Sequence, residues 1–279
     1  MTIKIITDSV SDIPKKIVEE LNIEVVPLTV NFGSVSYRDS VDLTNEEFFE
    51  KMKKIEKLPT TSQVNPGDFK IVFEKNLKLY DKIICITMSK EMSGTFKAAN
   101  TAKGFLNSDR IEIFDSKAIS FGFGLVVIDA SRDVIDGKKY DEIVEKINYN
   151  IENLKNFFIV DTLEYLQKGG RLTLTEAFVG NVLKIKPILT IKNGKLGVIG
   201  KIRGRKNAIN YIVKQLEENE YDFSEKTIGF FDAADEKYLN DLIYEVNKKF
   251  EIEEIIKSNV GSVVGAHAGP GCIAIAFIK

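Results

Sequence analysis

His267 is the only histidine of the chain, and it lies among small residues in the segment GAHAGPG (265–271). An imidazole titrates near neutral pH and can donate or accept a hydrogen bond at a ligand. The apolar run that follows predicts a buried strand. Two interpretations stay open: a turn that contains a histidine, or a ligand site where the backbone comes close to its ligand.

The segment SKEMSGTFKAAN (89–100) places Ser93, Gly94 and Thr95 where a helix is expected to begin. The amides of a first helical turn are free, and the positive end of the helix dipole lies behind them. Such a helix start is suited to an anion, whereas the plain alternative is that Ser93 only caps the helix. The patterns G-x-S-x-G and G-x-x-x-x-G-K-[ST] do not occur in the sequence, which argues against a hydrolase elbow and a P-loop.

Two further segments are rich in polar side chains. LPTTSQVNPGDF (58–69) is typical of a hydroxyl-rich loop before a helix, and it contains Thr61. KIRGRK (201–206) has four cations in six residues, and Arg171 follows a pair of glycines. The planar fork of arginine suits a phosphate or an acidic partner, although a solvated surface is the ordinary role of such a run.

Three predicted strands of the first half end in a similar way, at Asp8-Ser9, Met88-Ser89 and Asp115-Ser116. Ligands of open parallel sheets bind beyond the carboxyl ends of the strands. Asp and Ser also form caps and turns at such places. Because three such pairs fall on one predicted edge, that edge is a candidate site.

The first 150 residues alternate short apolar runs with amphipathic ones, which predicts a mostly parallel sheet with helices on both faces. Strands are expected at 3–7, 23–30, 82–87 and 110–116, with helices between them and a long apolar helix at 118–134. Thr44 and Glu47 form a capping box before a helix at 45–55. Asp12 is expected to cap a helix with Pro14 in its first turn.

The second half mixes strands and helices differently and predicts a smaller α+β unit. Asn193-Gly194 marks a hairpin over 186–204. Strands are expected at 157–162, at 227–231 and in the final run GCIAIAFIK, with helices at 206–218 and 235–249. The expected domains are 1–155 and 156–279, with any ligand between or beneath them.

Composition narrows the class of protein further. The formal net charge of −2 gives no general attraction to nucleic acid or to an anionic membrane. Cys85 and Cys272 lie in apolar runs and are expected to be buried, reduced thiols, and one histidine with two separated cysteines leaves no metal site. The sequence starts directly with a strand and shows no signal peptide or long apolar span, so a cytoplasmic location is expected.

At TDS, LPTTSQ, SGTF, KGGR, KIRGRK and GAHAGPG, in this order over residues 3–277, the sequence resembles the DegV family. The resemblance implies a two-domain α/β protein that binds one long-chain fatty acid, such as palmitate or oleate, without a cofactor. It also implies a non-catalytic carrier that presents the acyl carboxylate to a fatty acid kinase catalytic subunit. The resemblance further implies that acyl-phosphate-using enzymes of phospholipid synthesis take over the product, with a transient contact between the carrier and the membrane.

The resemblance also assigns site residues. Ser93 and the Gly94 amide would hold the carboxylate, with Thr61 as a second hydroxyl donor and His267 beside the head group. With an ordinary pKa near 6.5, His267 could donate to a carboxylate or, protonated, to an acyl-phosphate. Arg171 and Arg203 would face the kinase or the phosphate, with Arg205 as their neighbour.

Two other functions stay open from the residues alone. Ser93 and His267 with Asp8 or Asp115 would form a serine hydrolase triad, although the elbow motif is missing. The basic segment 201–206 would alternatively serve an interaction protein with an acidic partner. The apolar segments 118–134 and 176–183 are candidates for lining a lipid tunnel, and ordinary core is the alternative for most of their residues.

Overall fold

The computed structural model describes residues 1–55, 57–172 and 184–279. The elements of the first part are, in chain order, β1 (Ile3–Asp8), α1 (Lys15–Glu20), β2 (Glu24–Val26), β3 (Thr29–Phe32), β4 (Val35–Arg38), α2 (Asn45–Met52), β5 (Thr60–Ser62), α3 (Pro66–Leu77), β6 (Lys82–Thr87), α4 (Thr95–Leu106), β7 (Ile111–Asp115), α5 (Phe121–Ile135) and α6 (Tyr140–Asn153). Those of the second part are β8 (Leu154–Ile159), α7 (Glu164–Lys168), β9 (Ile185–Lys192), β10 (Lys195–Arg203), α8 (Arg205–Glu218), β11 (Thr227–Asp232), α9 (Glu236–Asn247), β12 (Glu254–Asn259), α10 (Ser262–Ala268) and β13 (Ile273–Ile278). Across the described ranges, no helix combines the length and the apolar composition needed to cross a bilayer.

The first sheet is parallel, in the order β2-β1-β6-β7. Every residue of β1 is buried, as expected for a strand covered on both faces. The predicted α/β class is confirmed. Asp8, Thr87 and Asp115 end three neighbouring strands at one edge, which is the edge that the Asp-Ser and Met-Ser pairs predicted.

The prediction of one strand over 23–30 is wrong. Pro27 has no amide hydrogen and cannot continue a sheet ladder. β2 therefore ends before it and belongs to the parallel sheet, whereas β3 after it belongs to a three-stranded antiparallel sheet, β4-β3-β5. The segment 58–69, predicted as a loop before a helix, contributes β5 to this sheet and so gains a ladder partner for Thr61, which pairs with Val30.

The second sheet has six strands in the order β10-β9-β8-β13-β11-β12. Successive side chains of a strand point to opposite faces, and the final strand shows why its sequence alternates. Ile273, Ile275 and Phe277 join the core under α8 and α9, whereas Ala274 and Ala276 face the other core. The small residues lie on the face where α5 packs against β13 and β11.

Helix α5 connects the two parts of the molecule, because it packs against β1 of the first sheet and against β8, β11 and β13 of the second. Eleven of its fifteen residues are buried, in agreement with its nearly continuous apolar sequence. The parallel sheet and one face of the six-stranded sheet therefore share one large core. The division into domains at residue 155 stays a prediction.

Of three predictions made from local turn and cap signals, two are confirmed and one is wrong. Thr44 and Glu47 form the predicted capping box. Asn193 and Gly194 have φ values of 51° and 78°, as a two-residue hairpin turn requires, and the Ser89 hydroxyl donates to the Gly194 carbonyl at this tip at 2.7 Å. Asp12, however, does not cap a helix.

Pro14 takes the capping position before α1 instead. Asp12 has a φ of 48° at the end of a 3₁₀ turn, Ser9–Ser11. Its carboxylate accepts from the Ser120 hydroxyl at 2.5 Å and from the Gly261 amide at 3.0 Å. These long-range donors replace the local amides that the sequence pattern indicated.

Three elements were not predicted, the edge strands β4 and β12 and the short helix α10. The helix has the sequence SVVGAHA, in which glycine and valine have low helix propensity. It is formed because tertiary contacts with α7, α2, β3 and β5 hold it in place. His267 therefore lies in the last turn of a helix and not in a turn between strands.

Candidate functional site

A cavity of about 370 Å³ lies between the two sheets. Apolar side chains from both parts form most of its wall, among them Leu28, Met88, Phe158, Leu189, Phe231 and Val260. Its volume falls in the range of about 300–1,000 Å³ that is usual for small-molecule sites. Five of the seven predicted site residues line it, namely Thr61, Ser93, Gly94, Arg171 and His267.

Thr61 and His267 are in direct contact. The Thr61 hydroxyl oxygen and Nε2 of His267 lie 2.9 Å apart. β5 supplies Thr61, and α10, which packs against β5, supplies His267. The hydroxyl and the imidazole together form a neutral donor and acceptor pair at the cavity wall.

The imidazole of His267 is mostly enclosed. Nδ1 is buried and has no hydrogen-bond partner within the described ranges. Gly169 covers it so closely that a Cβ at this glycine would lie 2.2 Å from Nδ1. A residue with any side chain at 169 would therefore displace the ring.

Burial lowers the pKa of His267 to about 4, and the positive charge of Arg171 is the second cause. The expectation of an ordinary pKa near 6.5 is therefore wrong for this structure. The ring is neutral at physiological pH because desolvation disfavours the imidazolium. It can serve the cavity as a neutral hydrogen-bonding group, and its role as a protonated donor to an acyl-phosphate stays a prediction.

Ser93 and Gly94 lie at the start of α4, as predicted. Gly94 occupies the capping position, and the Ser93 hydroxyl accepts from the Thr95 amide at 3.3 Å and contacts the Thr95 hydroxyl at 2.9 Å. Both the capping role and the cavity position of Ser93 are thus present. The hydroxyl faces a cavity wall next to the positive end of a twelve-residue helix.

Gln63 joins these groups to Thr61. A Cβ on Gly94 would lie 1.8 Å from Oε1 of Gln63, so the amide of Gln63 rests directly on the glycine. Gln63 follows β5, two residues after Thr61, and also lines the cavity. His267, Thr61, Gln63, Gly94 and Ser93 therefore form one continuous polar cluster, which we call the head-group cluster.

The three arginines predicted to face the kinase or the phosphate occupy different places. Arg171 lines the cavity and donates to the Gly169 carbonyl at 2.6 Å. Arg205 pairs with Asp235 at 2.6 Å and with Asp161 at 3.4 Å, and its guanidinium stacks 4.5 Å from the ring of Tyr238. Arg203 is exposed on β10. The structure brings Arg171 to the head-group cluster, whereas Arg203 and Arg205 are not among the cavity-lining residues.

The alternative hydrolase triad is not assembled. The Ser93 hydroxyl contacts Thr95, and His267 contacts Thr61. Asp8 accepts from the Val10 and Met88 amides, and Asp115 accepts from the Lys90 and Lys117 amides. Both candidate acids therefore hold backbone turns, and among the described contacts no carboxylate orients the imidazole.

The apolar helix predicted at 118–134 lines the cavity only through Ile119 and Ser120, which precede α5. The body of the helix is ordinary core, which is the alternative that the sequence left open for most of its residues. The second candidate segment, 176–183, lies outside the described residues. Cys85 and Cys272 are both free and buried, as predicted, and Cys272 lines the cavity.

Two site residues were not predicted as such, Gln63 and Ser120. Gln63 lay inside the quoted motif LPTTSQ, where its two-residue spacing from Thr61 on a strand would have placed both side chains on one face. Ser120 has a φ of 55° and a ψ of −160°, a conformation that is rare for any residue except glycine. Nothing in the sequence signals that strain.

The fold and the cavity define an α/β protein with three sheets and a mostly apolar cavity, whose wall carries one neutral polar cluster with Arg171 beside it. A family model described as "Uncharacterised protein, DegV family" matches residues 2–279. The chain belongs to the DegV family.

Relatives and solved structures agree with this assignment. A DegV domain-containing protein from Caldanaerobacter subterraneus is 38% identical over 275 residues, which cover 99% of this chain and 98% of the relative. A DegV family protein from Thermus thermophilus, whose structure is described as showing fatty acid binding, has a TM-score of 0.94 at 31% identity and full coverage of both chains. DegV from Bacillus subtilis, described as a fatty acid binding protein, has a TM-score of 0.88 at 33% identity, also over both whole chains.

Proposed function

We propose that this protein binds one long-chain fatty acid in the cavity between its sheets and presents the carboxyl group at the head-group cluster to a separate kinase subunit. The observation that carries the proposal is the combination of an apolar cavity with a single neutral polar cluster. The similar structures of DegV proteins from Thermus thermophilus and Bacillus subtilis, both described as fatty acid binding, support it. In this role the protein is a non-catalytic carrier.

The apolar wall accounts for affinity. Burying about 14 methylene groups at about 0.8 kcal/mol each gives roughly 11 kcal/mol of gross transfer free energy. Association and ordering of the chain cost several kcal/mol of this. The remainder corresponds to tight binding that survives purification.

The head-group cluster accounts for orientation. A carboxyl group left unpaired among apolar side chains is costly. The Thr61 and Ser93 hydroxyls, the amides at the start of α4 and the neutral imidazole of His267 supply hydrogen bonds without a fixed ion pair. Such a set accommodates a head group that changes its charge, whereas an arginine pair would favour one charge state.

Presentation to a kinase fits the position of Arg171. Its side chain lines the cavity, and the residue is exposed. In the proposed reaction a carboxylate oxygen attacks the γ-phosphorus of ATP on the partner, the bond between that phosphorus and the bridging oxygen breaks, and ADP leaves. Arg171 and the exposed Arg203 are then the groups that meet the partner or the new phosphate, with Arg205 behind them in its ion pairs. The resulting acyl-phosphate would pass to enzymes of phospholipid synthesis, with transient membrane contact during transfer.

Denaturing mass spectrometry of the purified protein, with solvent extraction, tests the binding proposal. One fatty acid per chain, lowered in Thr61→Ala and Ser93→Ala, is the expected result. A protein that is empty as purified and takes up neither added palmitate nor added oleate would overturn it.

A reconstituted reaction tests the kinase proposal separately. The loaded protein is mixed with a fatty acid kinase catalytic subunit and ATP, and acyl-phosphate is trapped with hydroxylamine as the hydroxamate. Formation of hydroxamate that depends on all three components is expected. A loaded protein that gives none would leave fatty acid binding in place and remove the kinase role.

A further inference from the structure

The helix that carries His267 has no cap of its own. Gly261 occupies the capping position of α10 and makes no side-chain hydrogen bond to the first turn. The first amides of a helix need partners when they are buried. In α10 these partners come from the other end of the chain.

Two aspartates of the first part accept hydrogen bonds from the amides of the capping residue and of the first helical residue. Asp39, which follows β4, accepts from the Ser262 amide at 3.1 Å and from the Ser262 hydroxyl at 2.5 Å, both on Oδ1. Asp12 accepts from the Gly261 amide at 3.0 Å. Asp12 and Asp39 are 249 and 223 positions from the residues that they hold.

Close packing along α10 transmits their position to His267. Gly265 lies against α2 so closely that a Cβ there would be 2.8 Å from the ring of Phe48 and 2.9 Å from that of Phe49. His267 follows Ser262 by five residues, which corresponds to about 8 Å along a helix. A shift at the first turn of so short a helix therefore moves the imidazole relative to Thr61.

We infer that Asp39, with Asp12, is a positioning residue of the head-group cluster, which acts through α10 to set the contact between His267 and Thr61. The inference rests on the proposed binding of a fatty acid. It adds that recognition of the carboxyl group depends on a buried carboxylate that does not line the cavity. Asp39 is 1% exposed and absent from the cavity wall.

The two oxygens of Asp39 have different surroundings. Oδ1 receives both bonds from Ser262, whereas Oδ2 is buried and has no hydrogen-bond partner within the described ranges. Burial raises the pKa of Asp39 and of Asp12, and the charge of Asp39 is a second cause for Asp12. An asparagine at 39 keeps the acceptor that holds α10 and removes the charge, so Asp39→Asn separates the two properties.

The experiment compares affinity for palmitate with affinity for hexadecanol, which shares the chain and lacks the carboxyl group. Asp39→Ala is expected to reduce the preference for palmitate by about tenfold, because a displaced His267 weakens about one hydrogen bond to the carboxyl group. Asp39→Asn is expected to restore the preference to near the wild-type value. Asp133→Ala is the matched control, because Asp133 is also a buried acid but pairs with Lys138 and Lys146 away from the cavity.

The ring nitrogens of His267 give a second readout. As the only histidine, it produces the sole imidazole ¹⁵N signals of a tag-free protein. These signals are expected to shift in Asp39→Ala and to stay in place in Asp133→Ala. If Asp39→Ala does not fold, Ser262→Ala removes one of the two Ser262 donors and is expected to shift the same signals by a smaller amount.

Unchanged ligand preference and unchanged imidazole signals in folded Asp39→Ala, or in Ser262→Ala if the former does not fold, would overturn the inference, as would equal changes in Asp133→Ala. A wild-type protein that binds neither palmitate nor hexadecanol would instead remove the proposed function. The two failures are therefore distinguishable.

Discussion

The hydroxyl oxygen of Thr61 and Nε2 of His267 lie 2.9 Å apart, although 206 positions separate the two residues in the sequence. Thr61 reaches this place on an edge strand of the small antiparallel sheet, and His267 on a short helix that packs against it. The contact exists only when both ends of the chain are folded together. It is the centre of the head-group cluster and can be tested directly.

Replacing Thr61 by alanine removes one partner of this contact and a hydroxyl that faces the cavity. The affinity for palmitate is expected to fall about tenfold, since one hydrogen bond contributes about 1 kcal/mol and leaves the imidazole unpaired when it is lost. Competition with a fluorescent fatty acid measures the change. Thr60→Ala is the control, because Thr60 is the exposed neighbour on the same strand. Equal affinities of the two variants would contradict the role of Thr61.

Gly169→Ala tests the cover over His267. The new methyl group would lie 2.2 Å from Nδ1 and 3.0 Å from the Tyr165 carbonyl, so the ring has to move away from Thr61. We expect palmitate affinity to fall at least tenfold, since the displaced imidazole no longer helps to orient the carboxyl group. Gly104→Ala, at a helix position with open space around it, should leave binding unchanged and raise stability by about 0.5–1 kcal/mol. Wild-type palmitate affinity in Gly169→Ala would show that Gly169 does not lie close to the imidazole of His267 in solution.

The neutral imidazole predicts a specific pH dependence. The folded state disfavours the protonated ring, so its contribution to stability is present above the ordinary histidine pKa of about 6.5 and is lost as pH falls toward the folded pKa of about 4. Titration of the imidazole ¹⁵N signals should show a midpoint near pH 4. A midpoint near 6.5 would contradict the enclosed position of the ring.

Asp8 predicts a dependence in the opposite direction. Burial raises the pKa of Asp8 to about 7. Because the folded chain holds this proton more tightly than the unfolded chain, stability falls as pH rises from about 3.9 toward 7 and then levels off. Between pH 5.5 and 8 this group alone lowers the free energy of unfolding by about 2 kcal/mol.

Urea unfolding of wild type and Asp8→Asn at both pH values isolates this effect, since His267 contributes equally to the two proteins. From pH 5.5 to pH 8, the wild-type protein should lose about 2 kcal/mol more of its free energy of unfolding than Asp8→Asn does. The same pH response in both proteins would refute the raised pKa.

Arg203→Glu tests the outer surface without disturbing the cavity. Arg203 is exposed and lies outside the cavity wall, so palmitate affinity and stability should stay within about 0.5 kcal/mol of wild type. Formation of acyl-phosphate with the kinase subunit should fall about tenfold or more, because a like charge would face the acidic or phosphate-bearing partner. An unchanged rate would place the partner elsewhere.

The elements that the sequence predicted correctly are those with local causes. The capping box of Thr44 and Glu47 and the turn at Asn193-Gly194 depend on residues a few positions apart, and both are present. The extended conformation around Pro27 was also predicted, but the assignment of β3 to another sheet depends on pairing with β4 and β5. Asp12 shows the same limit, because Ser120 and Gly261 provide stronger partners than the local helix start.

The residues of the site follow the same division. Ser93 and Gly94 were placed by a local helix start and lie where predicted. Thr61 and His267 were assigned through the family resemblance, and their mutual contact depends on strand pairing that no local pattern shows. Asp39 had no signal in the sequence, because its role depends entirely on a helix 223 positions away.

The hairpin of β9 and β10 ends on the first part of the molecule, where the Ser89 hydroxyl donates to the Gly194 carbonyl. Each residue added to both strands would lengthen the hairpin by about 3.3 Å and carry its tip past Ser89. Most exposed hairpins tolerate insertions, but the length of this hairpin is fixed by the contact between Gly194 and Ser89. Among related sequences, gains and losses of residues are therefore expected at other surface turns, while the distance from β9 to this tip is retained.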